Sequence, residues 1–300
     1  MKRVLITGAT GFIGRHCLPF LAARDYEIHA VSSRGRRENI TSVQWHDGDL
    51  LDGKQIAALM LKVQPTHLLH FAWFAVPGKY WTSGENIQWV KASLELLKEF
   101  ALHGGERVVM AGTCAEYDWR YGFCSEDLTP LAPSSLYGVC KHSLQIMLEV
   151  WARQSSVSAA WGRIFFLYGP HEHPDRLVSS VIRGLLRGEP VKCTAGHQIR
   201  DFLYVADVAE AFVALLETKA SGPVNIASGQ PVALREIVGR IADQLGGREL
   251  IELGAIPIAK DEPPLLVADI ARLKHEVGWS PRCSLDEGLK QTIDWWRDNL

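Results

Sequence analysis

The sequence predicts an α/β fold: a doubly wound parallel sheet covered by helices on both faces, followed by a smaller C-terminal lobe. Three observations predict it. Val4–Thr7 reads as a short buried strand running into glycines at 8, 11 and 14, after which Phe12, Ile13, Leu18 and Leu21 recur at helical spacing. Apolar, β-branched strand patterns then alternate with helical patterns through the first half of the chain. After Tyr168-Gly-Pro170 the alternation stops and the loops lengthen.

Strand, tight glycine turn and helix together make the phosphate cradle of a Rossmann-type nucleotide-binding unit. Gly8 lets the chain reverse, Gly11 lets backbone approach a pyrophosphate, and Gly14 lets the helix pack against the strand. The spacing is GxxGxxG. Further strands are expected at Ile28–Ser32, Val43–His46, His67–Phe71, Arg107–Gly112 and Ala159–Ile164. Helices are expected at Gln55–Val63, Glu85–His103 and Ser135–Gln154. Right-handed crossovers put the strand C-termini, and so the ligand crevice, on one edge. Beyond residue 168, helices at Arg176–Arg187, Ala206–Thr218 and Leu234–Leu245 lie between Gly/Pro turns. Ser284-Leu-Asp-Glu287 reads as a capping box opening a last helix that ends at Trp295-Trp296. The expected division is a dinucleotide-binding domain over 1–167 and a substrate-binding lobe over most of 168–300, with part of 196–230 returning to the first domain.

Three hundred residues with 47% hydrophobic content can bury a sizeable core. A net charge of −2 favours no nucleic-acid partner and no membrane surface. The first strand follows Met1-Lys-Arg3 at once, without a leader pattern, and no apolar run is long enough to span a bilayer. Six scattered cysteines without a CxxC pair read as reduced thiols, so a cytoplasmic protein is expected. His171 and His173 could ligate a metal, but no third ligand cluster stands near them, and no metal site is expected.

Tyr137 and Lys141, four apart near a helix start, share one face. A tyrosine of pKa near 10 is a poor acid or base at neutral pH, and a neighbouring lysine cation draws it toward working pH. Thr113 stands just past the strand Arg107–Gly112, where its hydroxyl can either hold a substrate oxygen against the tyrosine or merely stabilise a turn.

With these motifs the chain resembles the extended short-chain dehydrogenases/reductases, in the group of nucleotide-sugar epimerases, dehydratases and reductases. The matching residues are Thr7–Gly14, Asp49-Leu50, His70-Phe-Ala72, Gly112-Thr113 with Tyr117, Tyr137 with Lys141, Tyr168-Gly-Pro170, Arg200–Asp207, and Gly278-Trp-Ser-Pro281 with Glu287-Gly-Leu289 and Trp295. The resemblance implies that Thr113, Tyr137 and Lys141 are catalytic. It implies a dinucleotide held by Gly8, Thr10, Gly11, Phe12, Ile13 and Gly14, by Asp49 and Leu50 at the adenine, by Phe71 and Ala72, and by Tyr137 and Lys141. Thr113, Arg200 and Tyr204 would contact a nucleoside-diphosphate-sugar, with Arg200 on its diphosphate. The other reading of Arg200 is an ion pair with Asp201 or Asp207. A homodimer through the helices Glu85–His103 and Ser135–Gln154 is also implied, using a surplus of Trp89, Leu94, Leu97, Leu144, Met147, Leu148 and Trp151, unless that surplus packs inside one chain.

Departures from the family pattern narrow the reading. The second strand ends Ser32-Ser33-Arg34, where NAD-dependent members place a carboxylate. Serine hydroxyls and an arginine accept a 2′-phosphate, so NADP(H) is expected, with NAD possible if Arg34, Arg36 and Arg37 form only a solvated basic loop. Cys114 and Ala115 stand where 4,6-dehydratases carry Asp-Glu, which argues against dehydration. The stretch Ala111–Tyr117, with Glu116, looks closer to the 4-keto-6-deoxyhexose reductases. Phe166 replaces a common asparagine, and Lys260-Asp261 stands where relatives often have an arginine. The expected function is NADPH-dependent reduction of the 4-keto group of a nucleoside-diphosphate-6-deoxyhexulose. The alternatives are an NAD-dependent nucleotide-sugar 4-epimerase and a catalytically silent NADP-binding protein.

Overall fold

The four buried residues Val4–Thr7 end the strand β1 (Lys2–Thr7), which has a parallel neighbour on each side. In the computed structural model, which describes residues 2–33, 35 and 40–300, β1 pairs with β2 (Tyr26–Ser32) and with β4 (His67–His70), so that Val4 faces Ile28 on one side and His67 on the other. The strands β3 (Val43–Asp47), β5 (Arg107–Thr113), β7 (Ser158–Ile164) and β11 (Gly222–Ile226) complete a seven-stranded parallel sheet of order β11-β7-β5-β4-β1-β2-β3. The order reverses between β1 and β4, and an open α/β sheet binds its ligand at such a switch point.

Helices cover both faces, as the near-continuous apolar strands require. On one face α1 (Phe12–Ala22) lies beside α6 (Val205–Glu217), burying Leu18, Leu21, Val208 and Phe212 in one core cluster. On the other, α2 (Gly53–Val63), α3 (Glu85–Leu102) and α4 (Leu136–Gln154) bury Ile56, Met60, Leu97, Phe100, Leu144 and Leu148. The start of α4 is set locally: the Ser135 hydroxyl accepts from the Gly138 amide at 3.1 Å. A Cβ on Gly138 would press on the Ala115 carbonyl, so glycine there lets the helix close onto the end of β5.

Elements cross between residues 1–167 and 168–300 in both directions. The short strand β6 (Phe123–Cys124) leaves the first segment for a second sheet, joining β8 (Phe166–Tyr168), β10 (Ile199–Tyr204), β12 (Pro231–Ala233) and β14 (Leu265–Ala268). In exchange, α6 and β11 return to the large sheet from the second segment. The lobe itself packs α5 (Leu177–Leu186), α7 (Leu234–Leu245) and α9 (Leu285–Asp298) around Ile182, Ile237, Ile241, Leu289 and Trp296. A ribbon of β9 (Val191–Cys193) and β13 (Ile251–Leu253) completes it, while the short helix α8 (Ala271–His275) packs on β11 of the large sheet through Leu273.

Two local expectations change. The last helix runs past Trp296 to Asp298, and its capping box is half made. Ser284 accepts from the Glu287 amide, but the Glu287 carboxylate takes Gln291 at 3.0 Å. A complete capping box forms instead at Thr113 and Glu116. The apolar surplus on α3 and α4 is also redistributed. Leu97, Leu144 and Leu148 are core residues and Trp89, Leu94 and Trp151 pack partly against the same cluster. Met147 stays exposed, joined by Ile87, Val139, Ile146 and Val150. Among the described residues no helix is long and apolar enough to cross a membrane.

Candidate active site

The glycine turn folds as its spacing requires. Gly8 has φ +65°, and the Gly11 amide donates to the Gly8 carbonyl at 2.9 Å. A Cβ on Gly8 would lie 2.8 Å from the Ala72 nitrogen, so only glycine lets the turn sit against the segment leaving β4. A Cβ on Gly14 would strike the Gly8 carbonyl: the third glycine clears the turn itself rather than the strand. Helix α1 starts from Gly11 with no side-chain cap and no acidic residue in its first turn. Its first amides are therefore open to an anion, a cradle that fits the diphosphate of a dinucleotide.

The loop beside this turn is held by a chain of hydrogen bonds whose direction the groups dictate. Ser93 donates to the Trp89 carbonyl at 2.7 Å, so its oxygen accepts from His70 Nε2 at 3.0 Å. His70 Nδ1 then accepts from the Thr7 hydroxyl at 2.7 Å, and Thr7 Oγ1 accepts from the Phe71 and Ala72 amides, each at 3.2 Å. Burial lowers His70 to about 3, so it stays neutral and can act as donor and acceptor at once.

One cavity of about 1430 Å³ runs from the cradle to the lobe. It exceeds the usual size of a site for one small molecule and suits a dinucleotide with a second ligand. Its wall includes Gly8, Gly11, Phe12, Ile13, Gly14, Phe71, Ala72, Thr113, Tyr137, Lys141 and Arg200. Thr10 is not on that wall; its carbonyl accepts from Arg15 at 2.8 Å. Ser32, Ser33, Asp49 and Leu50 lie beyond it at the ends of β2 and β3, joined where the Gly48 amide donates to the Ser32 carbonyl. Leu50 is buried, while the exposed Asp49 holds the Leu51 amide. Arg34, Arg36 and Arg37, on which the coenzyme expectation turns, fall outside the described residues.

Thr113, Tyr137 and Lys141 converge. Thr113 Oγ1 accepts from the Ala115 amide at 3.2 Å and lies next to the Tyr137 phenol. One of its two lone pairs is used in this way, and the threonine hydrogen is free to point at the phenol or at a substrate oxygen. Tyr137 is walled by the rings of Tyr80 at 4.8 Å, Trp81 at 5.7 Å and Trp73 at 6.5 Å. Burial pushes its phenol well above the ordinary tyrosine value; the Thr113 hydrogen bond opposes this. Lys141 is buried, donates to the Ala111 carbonyl at 2.8 Å and lies 3.7 Å from the centre of the Trp73 ring. Burial lowers it to about 7. The expectation that a lysine cation draws the tyrosine down is thus not met in the protein alone, because desolvation acts on both groups and the ammonium is itself weakened.

Arg200 is buried on the cavity wall, above the Phe166 ring, and pairs with neither Asp201 nor Asp207. Its partner is Glu262, beside Asp261. Asp201 points to the opposite face of its strand and accepts from Ser228, Gly229 and Ala268. Tyr204 does not reach the cavity: its phenol donates to Gln291 at 2.8 Å inside the lobe. His171 bonds Arg15 and Glu172 accepts from Ser179, and among the described residues no three potential metal ligands converge. Sequence reasoning missed Trp73, Tyr80, Trp81, Glu116 and Glu262. The first three had a signal: aromatic residues crowded into the long connection between β4 and α3, where loops carry function.

Comparison with known proteins follows the geometry. The profile of the NAD dependent epimerase/dehydratase family matches residues 4–227. UDP-glucuronic acid decarboxylase 1 of Xenopus tropicalis is 30% identical over 314 residues, spanning 100% of this chain and 73% of that one. UDP-glucuronate 4-epimerase of Thermodesulfobacterium geofontis is 25% identical, spanning 100% and 98%. The structure of Thermus thermophilus UDP-glucose 4-epimerase in complex with NAD superimposes with a TM-score of 0.85 at 26% identity, covering 99% of this chain and 100% of that one.

His70 makes the cradle sensitive to acid. Its proton affinity is depressed from 6.5 to about 3, so the unfolded chain takes up the proton first as pH falls. The stability due to the neutral ring is fully present above pH 6.5 and drains away toward pH 3, with a slope of up to about 1.4 kcal/mol per pH unit. Urea unfolding of His70→Gln across this range is expected to lack that slope. A wild-type stability that is flat from pH 6 to 4 would contradict the assignment.

Proposed function

The chain belongs to the NAD dependent epimerase/dehydratase family, an enzyme of the short-chain dehydrogenase/reductase type acting on nucleotide-sugars, and from that premise we propose that it reduces the 4-keto group of a nucleoside-diphosphate-6-deoxyhexulose with NADPH. The observation that carries the reading is the state of the groups around Thr113. Tyr137 is a buried phenol that desolvation keeps protonated, so it holds the one proton that an oxygen gaining charge takes up. Its neighbours at the strand end, Cys114 and Ala115, offer no second acid or base: burial raises the Cys114 thiol well above its ordinary value, so it stays neutral. Elimination of water needs both an acid and a base, whereas reduction of a ketone needs one proton.

A bound dinucleotide supplies the hydride. Thr113 holds the keto oxygen through its free hydrogen, Tyr137 delivers the proton to that oxygen, and Lys141 binds the nicotinamide ribose beside Trp73. The aromatic wall of Trp73, Tyr80 and Trp81 excludes water from the transfer. Arg200 meets the sugar-nucleotide diphosphate once Glu262 gives way. A 4-epimerase with retained NAD is the second reading, favoured by the relatives that carry that name and by a cavity wide enough for a sugar to turn over.

Tyr137→Phe is expected to lower turnover by about 10³-fold while coenzyme affinity stays nearly constant. The wild-type protein should consume NADPH stoichiometrically with a nucleoside-diphosphate-4-keto-6-deoxyhexose. Interconversion of saturated hexose nucleotides at catalytic NAD, with no net NADPH oxidation, would select the epimerase.

NADP(H) is the proposed coenzyme because Ser32 and Ser33 end β2 without a carboxylate and Arg34 follows. Arg34→Asp is expected to reverse the coenzyme order, losing about 1.5–3 kcal/mol of NADP(H) binding. Equal affinities of the wild type for both coenzymes, read by titration, would return Arg34 to the solvated-loop reading.

A homodimer through α3 and α4 is proposed on the exposed Ile87, Val139, Ile146, Met147 and Val150. Light scattering should give twice the chain mass at micromolar concentration; a monomer there rules the pairing out.

A further inference from the structure

Glu116 is fully buried, three residues past Thr113, and lies against β5 and β7 rather than on the cavity wall. Its Oε1 accepts from the Thr113 amide and from Trp161 Nε1, each at 2.8 Å. Its Oε2 accepts from Arg163 Nε at 2.8 Å, and Arg163 is as deeply buried. From Arg163 the chain of bonds continues to the Tyr117 hydroxyl at 3.1 Å and on to Asn225 at 2.8 Å, so that β5, β7 and β11 are tied together. A buried ion pair of this kind is weak evidence for stability, since well-packed apolar residues often serve equally well. What apolar residues could not do is hold a backbone amide.

We propose that Glu116 is a positioning residue of this site: its carboxylate fixes Thr113 through the backbone and so holds the end of the strand on which the Lys141 ammonium rests. The geometry gives it both tasks. By drawing in the Thr113 amide, the carboxylate completes the capping box in which Thr113 Oγ1 takes the Ala115 amide, and this turns the hydroxyl hydrogen toward Tyr137. The Lys141 ammonium sits on the Ala111 carbonyl, two residues earlier in the same strand. The groups around it are Tyr137 from its own helix, neutral His70 from β4, the rings of Trp73 and Trp161, and Glu116. Of these Glu116 carries the opposing charge, and it limits the fall that burial imposes on the amine. Arg163, from β7, offsets part of that charge.

The turnover arm of the test rests on the reductase reading; the titration arm does not. Lysines labelled with ¹³C at Cε are titrated by NMR in the protein without coenzyme, Lys141→Arg identifying the signal. The wild-type midpoint is expected near the value of about 7 set by burial. In E116Q it should fall by about one pH unit, and in E116D, which keeps the charge, it should stay close to wild type. Should E116Q fail to fold, E116D still tests the hold on Thr113. With dTDP-4-keto-6-deoxyglucose and NADPH as the probe, E116D should lose about tenfold in kcat with little change in KM, because the retracted carboxylate releases Thr113. A lysine midpoint unmoved in E116Q overturns the proposal whether or not the probe turns over, and so does a wild-type kcat in E116D. Absence of wild-type turnover with a shifted midpoint overturns the reductase reading and leaves Glu116 in its role.

Discussion

Two strand ends pressed together govern this site. Gly8 ends β1 so close to the segment leaving β4 that no Cβ fits between them. That approach exists because β1 pairs in parallel with β4 on one side and with β2 on the other, with connections leaving toward opposite faces. The crevice opens at this switch point, and the uncapped amides of α1 line it. The Thr7–His70–Ser93 chain ties the same two strand ends to α3, so cradle and neighbouring loop move as one body. The position of Thr113 follows, since β5 is the next strand along and runs on from Met110, opposite the end of β4 at His70, to Thr113.

Desolvation sets the chemistry of the groups gathered there. Lys141, Tyr137, His70 and Cys114 are all displaced toward their neutral forms, and burial is the largest cause for each. In the proposed reduction, a site of neutral groups would hold the ketone without competing charges and leave proton transfer to the phenol. The buried Glu116–Arg163 pair is the exception, and it lies behind the strand ends, where it organises backbone instead of meeting ligand. At the far end of the cavity, Arg200 and Glu262 form a second pair on the wall itself, one partner buried and the other partly exposed. That asymmetry lets an incoming diphosphate compete for the arginine.

Local patterns in the sequence made the sheet, the cradle and the grouping of Thr113, Tyr137 and Lys141 legible. The strands expected at Val43–His46 and Ala159–Ile164 form within a residue, because short apolar runs between breakers have few alternatives. Tyr137 and Lys141 were readable from helical spacing taken together with the glycine turn and Thr113. What was not readable depends on contacts far apart in the chain. β6 is two residues long and exists only because β14, more than a hundred residues later, pairs with it. Glu262 reaches Arg200 across a loop with no periodic signal. Tyr204 shares the strand face of Arg200 and Phe202, yet at the end of β10 it lies past the cavity wall and its phenol meets Gln291 in the lobe. The capping boxes carry the same lesson. Ser284 and Glu287 match the pattern and make half of it, while Thr113 and Glu116 make all of it around a three-residue turn, because burial leaves the Glu116 carboxylate only backbone, tryptophan and arginine to satisfy it.

The central claim, that this trio completes a net reduction at sugar C4, is tested most directly by following the hydride. NADPH carrying deuterium at nicotinamide C4, on the face that is transferred, is incubated with the protein and a nucleoside-diphosphate-4-keto-6-deoxyhexose, and the product is read by NMR and mass. One deuterium at C4 of a single saturated epimer is the predicted result. A product without deuterium, or a mixture of C4 epimers formed while the coenzyme keeps its label, would contradict it.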